Sequence, residues 1–473
     1  MRLIAFSRFC LKYANGAAMR LSTETSANVK FSLVRRSAST MAETVPSPLL
    51  SVRPSRGLID EKFQIVVKNL PPGQEVTLHC LHQSEDSDFW EAFGHYVSDV
   101  KGTVAVTQDL SVGGSYEGPE PMGLLWSMRP VPGSRTGLRL RKMDVLSPMV
   151  VQISVYRGHV SQGFRETAAL ACAVAERWYM APGVRRVDVQ EKGVRGTLFL
   201  PPGPGPFPGV LDMWGGGGGL VEYRSALLAS HGFVSMALDY LPHDETRTPD
   251  IEAGYFEKAF SIVQEHPQVV TDRVALFGLS FGTAVALGLA AHSEVIHPTC
   301  CVCISGSHTQ PFNKSVHSVF QELGKNSHKI RIDENNHHIW RDIILPITTD
   351  PDRKVHVGKI KCPLLLVVGL DDQNWATEES AEDIKKMMEE AGNSHLLTTL
   401  SYPEAGHLIE PPYTPHFRAS NFIVQLTRQK VVVLWGGQTK PHAYAQEDSW
   451  RRILEFLRHH LYQRHSMGTV SRL

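Results

Sequence analysis

Gly278-Leu279-Ser280-Phe281-Gly282 is the stretch of this chain that decides its fold. It matches G-x-S-x-G, a pattern in which a serine occupies a sharp turn between a strand and a helix and only small neighbours fit around it. Residues 272–277 form a short apolar run after a charged start, which predicts a buried strand. Residues 282–292 are rich in Ala and Leu and contain no proline, which predicts a packed helix. The alternative is a glycine-flanked serine in an ordinary strand-to-helix loop.

Strands and helices are predicted to alternate from about residue 185 to residue 462. Strand candidates are 210–213, 234–238, 274–277, 301–304 and 364–368, and helix candidates are Tyr223 to Ser230, Gly254 to Glu265, Ser380 to Glu390 and Ser449 to Leu461. This alternation indicates a parallel sheet with crossover helices. Together with the serine turn it predicts an α/β-hydrolase catalytic domain over residues 185–462.

The preceding residues 48–182 contain short strand-like runs separated by turn signals, at 63–67, 76–80, 103–106 and 149–156. Such spacing without helical periodicity predicts an antiparallel β-sandwich domain. The proline and glycine run at 201–206 is interpreted as a turn just inside the second domain. Residues 463–473 are expected to form a flexible tail.

A serine needs a neighbouring base, and in α/β-hydrolases the order along the chain is Ser, then Asp or Glu, then His. The acid should follow a later strand, and Asp371 and Asp372 follow the strand at 364–368. Position separates the two poorly; Asp372 is preferred, and Asp371 could serve a turn or cap the next helix. The histidine should follow the last strand, predicted at 397–402, which indicates His407. Of the 22 histidines, His356, His416 and His442 lie in less suitable places.

The oxyanion of a tetrahedral intermediate needs backbone N–H donors. One candidate is the N–H of Phe281, directly after the serine, and the other is expected from the loop Trp214 to Gly219, which contains five consecutive glycines. Gly216 is the predicted donor of that loop. A phosphate-binding loop is disfavoured because no Gly-Lys-Ser/Thr follows, and no G-x-G-x-x-G opens a helix.

Composition places the chain among globular proteins, with 42% hydrophobic and 20% charged residues over 473 positions. A net charge of zero gives no global field for nucleic acid. No apolar run reaches the length of a membrane span, so stable membrane insertion is not expected. The seven cysteines show no disulfide framework, and Cys300, Cys301 and Cys303 lie in an apolar run, where packing is favoured over metal binding.

The two ends of the chain predict different destinations. Residues 1–40 carry seven basic residues and one acidic residue and are rich in serine, which is typical of a mitochondrial transit peptide, the alternative being a disordered basic tail. Ser471-Arg472-Leu473 is a close variant of the peroxisomal S-K-L signal. We hypothesise that the full-length chain enters the mitochondrial matrix and that initiation at Met41 yields a peroxisomal form.

From about residue 50 to residue 462, the chain resembles the acyl-coenzyme A thioesterase / bile acid-CoA:amino acid N-acyltransferase family. The resemblance rests on 115–118, 121–128, 212–219, 222–224, 278–282, 371–375, 402–407, 409–412, 435–437 and 442–443. It implies a β-sandwich ahead of an α/β-hydrolase domain, a triad of Ser280, Asp372 and His407, and an acyl-CoA substrate. The sequence indicates no requirement for a metal or redox cofactor. In this family the amino acid transferases have cysteine at the nucleophile position and the thioesterases mostly serine.

Ser280 therefore favours hydrolysis of fatty acyl-CoA to a fatty acid and coenzyme A. The alternatives are transfer of the acyl group to an amino acid and a catalytically silent acyl-CoA binder. The glycine loop departs from the family where relatives often have Phe and one non-glycine residue, and residues 421–433 look longer and more basic than usual. These departures leave the preferred acyl chain length open. The oligomeric state and the residues that contact coenzyme A are also left open by the sequence.

Overall fold

The computed structural model of the chain describes residues 47–241, 250–310 and 315–463. The basic leader, Met41 and Ser471-Arg472-Leu473, on which the targeting expectations rest, lie outside these residues. Two sheets are formed by residues 49–178. The smaller contains β1 (Leu49–Arg53), β3 (Gln64–Lys68) and β6 (Val104–Ala105). The larger contains, in spatial order, β2 (Arg56–Leu58), β9 (Ala171–Trp178), β8 (Met149–Arg157), β4 (Glu75–Gln83), β5 (Phe89–Val97) and β7 (Arg129–Pro130).

These two sheets are antiparallel except where β2 pairs with β9. Buried side chains such as Leu78 and Cys80 on β4, and Ile153 and Val155 on β8, belong to one continuous core. A four-residue helix, α1 (Gly123–Trp126), packs its buried residues against the same core. The antiparallel sheet arrangement expected from the short runs is therefore present.

An eight-stranded sheet follows. Its strands, in spatial order, are β10 (Arg185–Glu191), β11 (Val194–Leu200), β13 (Val234–Asp239), β12 (Phe207–Met213), β14 (Val269–Leu279), β15 (Cys301–Ile304), β18 (Leu364–Gly369) and β19 (Leu397–Tyr402). The strands from β13 to β19 are parallel, and β10 and β11 form an antiparallel hairpin at one edge. The prediction of an α/β-hydrolase sheet is confirmed, with an antiparallel edge that the alternation rule did not predict.

Helices lie between the strands of this sheet along the chain or follow the last of them. They are α2 (Tyr223–Ser230), α3 (Ala253–Gln264), α4 (Phe281–His292), α5 (Val316–Lys325), α6 (Thr377–Glu390) and α7 (Thr439–Tyr462). Short 3-10 turns lie at Ser327–Lys329, Arg341–Ile344, Pro351–Arg353, Val357–Lys359 and Ser394–Leu396. The first nine residues of α4 are all buried, which explains why its sequence is apolar all round rather than amphipathic.

The predicted start of the last helix, near Ser449, is wrong. The helix begins at Thr439, and Pro441 lies in its first turn. A proline is tolerated there because the N–H groups of the first turn have no partner within the helix. This earlier start brings His442 into the helix.

A four-stranded sheet contains β16 (Arg331–Ile332), β17 (His338–Ile339), β21 (Lys430–Leu434) and β20 (Ala419–Ile423). Its β20 is tied to the segment after β7, because Asn421 N–H donates to the Gly137 carbonyl over 2.8 Å. A second link joins the N-terminal sheets to the helices of the eight-stranded sheet. Asp60 accepts from Trp450 Nε1 at 2.8 Å and lies 2.6 Å from His231 Nε2. Across the described ranges, no helix combines the length and apolarity needed to cross a membrane.

Candidate active site

Ser280 lies on a strained turn between β14 and α4. Its backbone has φ 57° and ψ −119°, a positive φ that non-glycine residues rarely adopt. Both glycines of the pentapeptide are required because neighbouring backbone approaches them too closely for a side chain to fit. A Cβ at Gly278 would lie 2.3 Å from the Gly282 carbonyl oxygen, and one at Gly282 would lie 2.2 Å from the Met213 carbonyl oxygen. The sharp turn predicted from the pentapeptide is therefore present.

The structure brings Ser280, His407 and Asp372 into one hydrogen-bonded chain. His407 Nε2 lies 2.9 Å from Ser280 Oγ, and His407 Nδ1 lies 2.8 Å from Asp372 Oδ2. The three residues are only 7%, 1% and 2% exposed. The second carboxylate oxygen of Asp372 accepts the N–H groups of Asn374 at 2.8 Å and Trp375 at 2.9 Å. The carboxylate is thus fixed on the side away from the imidazole.

Asp371 faces another set of partners. Its carboxylate accepts from Arg418 Nη1 at 3.0 Å, from the Gly437 N–H at 2.8 Å and from Gln373 Nε2 at 2.7 Å. Burial alone would raise the pKa of Asp371, but these hydrogen bonds outweigh it and lower the pKa. Of the two aspartates that the sequence left open, Asp372 is the one that contacts His407.

The glycine loop after β12 passes directly beside the serine. A Cβ at Gly215 would lie 2.9 Å from Ser280 Cβ, so only glycine fits without a shift. The Gly216 carbonyl accepts from Gln425 Nε2 at 2.8 Å, and Gly219 N–H donates to the Leu241 carbonyl at 2.6 Å. Both candidate oxyanion donors, the N–H groups of Phe281 and Gly216, lack an acceptor among the described residues. Neither N–H is therefore committed to another backbone acceptor.

Sequence reasoning missed Trp375 as a residue in contact with the serine. The indole Nε1–H of Trp375 donates to Ser280 Oγ over 3.1 Å. The tryptophan was visible in the family motif at 371–375, but a tryptophan carries no signal that its N–H reaches a nucleophile. The fixed loop after Asp372 is what places it.

His442 contacts the backbone on both sides of His407. Its Nδ1 accepts the Gly406 N–H at 3.0 Å, and its Nε2–H donates to the Leu408 carbonyl at 2.8 Å. Burial lowers the pKa of His442 to about 4, against the opposing effect of the Leu408 carbonyl, so the ring is neutral at physiological pH. His416 stacks on it with ring centroids 4.1 Å apart. His442 thus supports the loop that carries His407, a position that no pattern in the sequence indicated.

A cavity of about 820 Å³ opens beside Ser280 and His407. Aromatic rings make up much of its wall: Trp214, Phe281, Phe320, Trp340, Trp375, Phe422 and Trp435. The described side chains that line it include four cationic ones, at Arg139, Arg141, Lys325 and Lys430. An apolar chamber with positive charges in its wall can hold an apolar chain and an anionic group together.

The cysteines expected to pack in the sheet lie in β15 or next to it. Cys300, Cys301 and Cys303 are buried, and burial raises the pKa of Cys300 and Cys303. Cys301 Sγ lies 3.7 Å from Cys362 Sγ, without a disulfide between them. In the part of the chain that the structure describes, no group of three or more His, Cys, Asp or Glu side chains is arranged to hold a metal ion.

Two family models match the chain. One, described as acyl-CoA thioester hydrolase/BAAT N-terminal region, covers residues 60–191, and the other, BAAT/acyl-CoA thioester hydrolase C terminal, covers residues 251–463. The chain is 38% identical to acyl-coenzyme A thioesterase 3 of Mus musculus over 88% of this chain and 95% of that protein. It is 38% identical to the peroxisomal succinyl-coenzyme A thioesterase of Mus musculus, over 89% and 98%. It is 37% identical to acyl-coenzyme A thioesterase 2, mitochondrial, of Homo sapiens, over 85% and 82%.

Solved structures are more distant. A dienelactone hydrolase-like promiscuous phosphotriesterase from metagenomic libraries matches with a TM-score of 0.36 and 18% identity, over 59% of this chain and 98% of that chain. An esterase/lipase from an uncultured bacterium matches with a TM-score of 0.38 and 14% identity, over 60% and 87%.

Proposed function

The chain is a thioester hydrolase of the acyl-CoA thioester hydrolase/BAAT family, and we propose that it hydrolyses fatty acyl-CoA to a free fatty acid and coenzyme A. Ser280 would be the nucleophile, His407 the general base and acid, and Asp372 the residue that orients the imidazole. The observation that carries this proposal is the continuous chain of hydrogen bonds from Ser280 Oγ through His407 to Asp372, with distances of 2.9 and 2.8 Å.

In the first half-reaction, Ser280 Oγ attacks the thioester carbonyl while His407 Nε2 takes its proton. The N–H groups of Phe281 and Gly216 would bind the resulting oxyanion, at a helix N-terminus that favours negative charge. The tetrahedral intermediate collapses with cleavage of the carbon–sulfur bond. The sulfur of coenzyme A leaves with the proton from His407, and the acyl group remains as an ester on Ser280.

In the second half-reaction, His407 deprotonates a water molecule that attacks the acyl-serine carbonyl. The same two N–H groups bind the second oxyanion, and Ser280 regains its proton as the fatty acid is released. Asp372 keeps the proton on Nδ1, so that Nε2 is free to accept, and it stabilises the imidazolium that forms twice per cycle.

Serine at position 280 is the reason to favour water over an amine as the second acceptor. An acyl ester of serine is well suited to attack by water, whereas the transferases of this family are expected to use cysteine. A catalytically silent binder would need no ordered Ser–His–Asp chain.

The direct test is the release of coenzyme A from a long-chain acyl-CoA by the purified protein, with and without glycine or taurine. We expect release without an amine and no N-acyl amino acid product. Ser280→Ala should lower turnover by about 10⁴-fold or more. Ser235→Ala is a matched control, because Ser235 is buried in β13 and its Oγ has no hydrogen-bond partner among the described residues. Retained turnover in Ser280→Ala would refute the assignment.

We further propose a mitochondrial matrix location for the full-length chain and a peroxisomal one for a chain started at Met41. Two relatives, one named as mitochondrial and one as peroxisomal, are compatible with either destination. Imaging the two forms with internal tags tests the idea. Identical distributions of the two forms would contradict it.

A further inference from the structure

The positive charges of the cavity beside Ser280 are of two kinds. The described residues that line it include no Asp or Glu. Lys325 and Lys430 are exposed, and Lys325 pairs with Glu322 outside the cavity wall. Arg139 is only 14% exposed, and Arg141 is partly buried. The two arginines thus bring charge to the buried side of a largely aromatic chamber.

Arg139 has a partner for its charge. Its Nη2 donates to Glu410 Oε1, and the other oxygen of Glu410 accepts the Tyr223 hydroxyl at 2.9 Å. Both oxygens of this buried carboxylate are therefore already engaged. The Glu410 carboxylate is thus a single negative charge beside the two guanidinium groups of Arg139 and Arg141.

Arg141 is left without such a partner. Its Nε and Nη2 are buried, and neither has a hydrogen-bond partner within the described residues. Burial and repulsion by Arg139 lower the pKa of Arg141, but a guanidinium remains charged at neutral pH. Buried donors of a charged group are costly when unsatisfied. An anion that enters the cavity would satisfy them and balance the surplus charge.

Building on the proposed function, we infer that Arg141 binds an oxyanion carried by the acyl-CoA substrate. A planar guanidinium recognises carboxylate and phosphate oxygens alike, through two parallel hydrogen bonds. The oxyanion can be the carboxylate at the far end of a dicarboxylic acyl chain or a phosphate of coenzyme A. Arg141 thereby determines which thioesters the chamber accepts.

The test measures binding rather than turnover, by titration calorimetry on Ser280→Ala with and without Arg141→Gln. Hexanoyl-CoA, hexanedioyl-CoA and hexanoyl-pantetheine are the probes: the second adds a terminal carboxylate to the first, and the third lacks the phosphates of coenzyme A together with its adenosine. If the acyl carboxylate is bound, Arg141→Gln weakens binding of hexanedioyl-CoA by about 10- to 100-fold and leaves hexanoyl-CoA within about twofold. If a phosphate is bound, both CoA thioesters weaken and hexanoyl-pantetheine does not.

Unchanged affinity for all three probes, or an equal loss for all three, would overturn the inference. Because Nε and Nη2 of Arg141 have no partner in the described part of the chain, Arg141→Gln should not lower the melting temperature. Arg141→Lys keeps the charge without the two parallel hydrogen bonds, so its affinity should lie between that of the protein with Arg141 and that of Arg141→Gln. It also replaces Arg141→Gln if that variant fails to fold. Arg157→Gln, at the exposed end of β8, is the matched control. If the unmodified chain releases no coenzyme A from any thioester, the proposed function fails, while the binding data still decide the role of Arg141.

Discussion

Trp375 donates its indole N–H to Ser280 Oγ over 3.1 Å, on the same oxygen that faces His407 Nε2 at 2.9 Å. The nucleophile therefore has a proton acceptor and a hydrogen-bond donor in place before substrate arrives. Negative charge grows on Oγ as its proton moves to His407, and a hydrogen bond to a charged oxygen is stronger than one to a neutral hydroxyl. The bond from Trp375 should thus strengthen on the way to the transition state.

Trp375→Phe keeps an aromatic ring in the cavity wall and removes the N–H together with part of the indole ring, a loss of volume that the control below shares. We expect kcat to fall by about tenfold, with KM little changed, because one donor to a developing charge is lost. Trp340→Phe is the control: Trp340 lines the same cavity, and its Nε1 has no partner among the described residues. Steady-state kinetics on one acyl-CoA would compare the two. An unchanged or higher kcat in Trp375→Phe would mean that the bond only restrains the resting serine.

His442 is expected to position the loop that carries His407. His442→Leu removes the bonds to Gly406 and Leu408 and should lower kcat by about 10- to 100-fold, since small misplacements of a catalytic base are costly. His442→Gln can still accept with its oxygen and donate with its nitrogen, so it should restore most of kcat. Equal loss in both variants, at matched melting temperatures, would show that the ring packs rather than positions.

The same histidine predicts a pH dependence of stability. The pKa of His442 is lowered to about 4 in the folded chain, mainly by burial, from an ordinary value near 6.5. The unfolded chain therefore takes up the proton first as the pH falls. The contribution of neutral His442 to the free energy of unfolding is therefore complete above about pH 6.5. It is lost progressively as the pH falls to about 4, by up to about 3 kcal/mol.

Urea unfolding at about pH 7 and about pH 4.5 would measure this loss. His442→Gln has no proton to take up at this position, so its free energy of unfolding should fall less between the two pH values. An equal fall in both proteins would assign the acid sensitivity to other groups.

Local patterns in the sequence were enough to predict the turn at Ser280 and the strands that carry it. A side chain at Gly278 or Gly282 would clash with neighbouring backbone, so two glycines at this spacing directly indicate the turn. The chain order of serine, acid and histidine, together with the strand count, led to His407. These signals are local because each depends on one strand and the loop that follows it.

The supporting contacts could not be predicted in the same way. Trp375 and His442 act through one side-chain nitrogen each, and their distances to the site depend on how distant segments pack. That Nε and Nη2 of Arg141 have no partner among the described residues is likewise a property of the assembled cavity wall. The early start of α7 was missed because a proline in a first turn looks like a helix breaker when the helix start is unknown.

The two adjacent aspartates offer a test with matched chemistry. Asp372→Asn should lower kcat by about 10³- to 10⁴-fold, because an amide in that place favours the wrong tautomer of His407. Asp371→Asn disturbs only the contacts with Arg418, Gly437 and Gln373 and should reduce activity by less than about tenfold. A larger loss in Asp371→Asn than in Asp372→Asn would reverse the assignment.

The glycine loop gives a prediction in which neighbouring residues should behave differently. A Cβ at Gly215 would lie 2.9 Å from Ser280 Cβ, a distance that real Cβ atoms do not show without a shift. At Gly216 the nearest atoms, from the ring of Phe320, would lie at 3.5 Å, an ordinary contact. Both positions keep their backbone N–H when changed to alanine, so any difference reports steric pressure on the nucleophile.

Gly215→Ala should therefore lower kcat by more than about tenfold, because a displaced Ser280 loses its alignment with His407 and with the oxyanion donors. Gly216→Ala should stay within about threefold of the unmodified chain. Titration of the active serine with a fluorophosphonate probe would separate a misplaced nucleophile from a misfolded chain, since Gly215→Ala should react slowly but completely. A larger loss of kcat in Gly216→Ala than in Gly215→Ala would contradict this prediction. The space near Phe320 would then be tighter than the distances indicate, and the Gly216 N–H could not donate to the oxyanion from its present position.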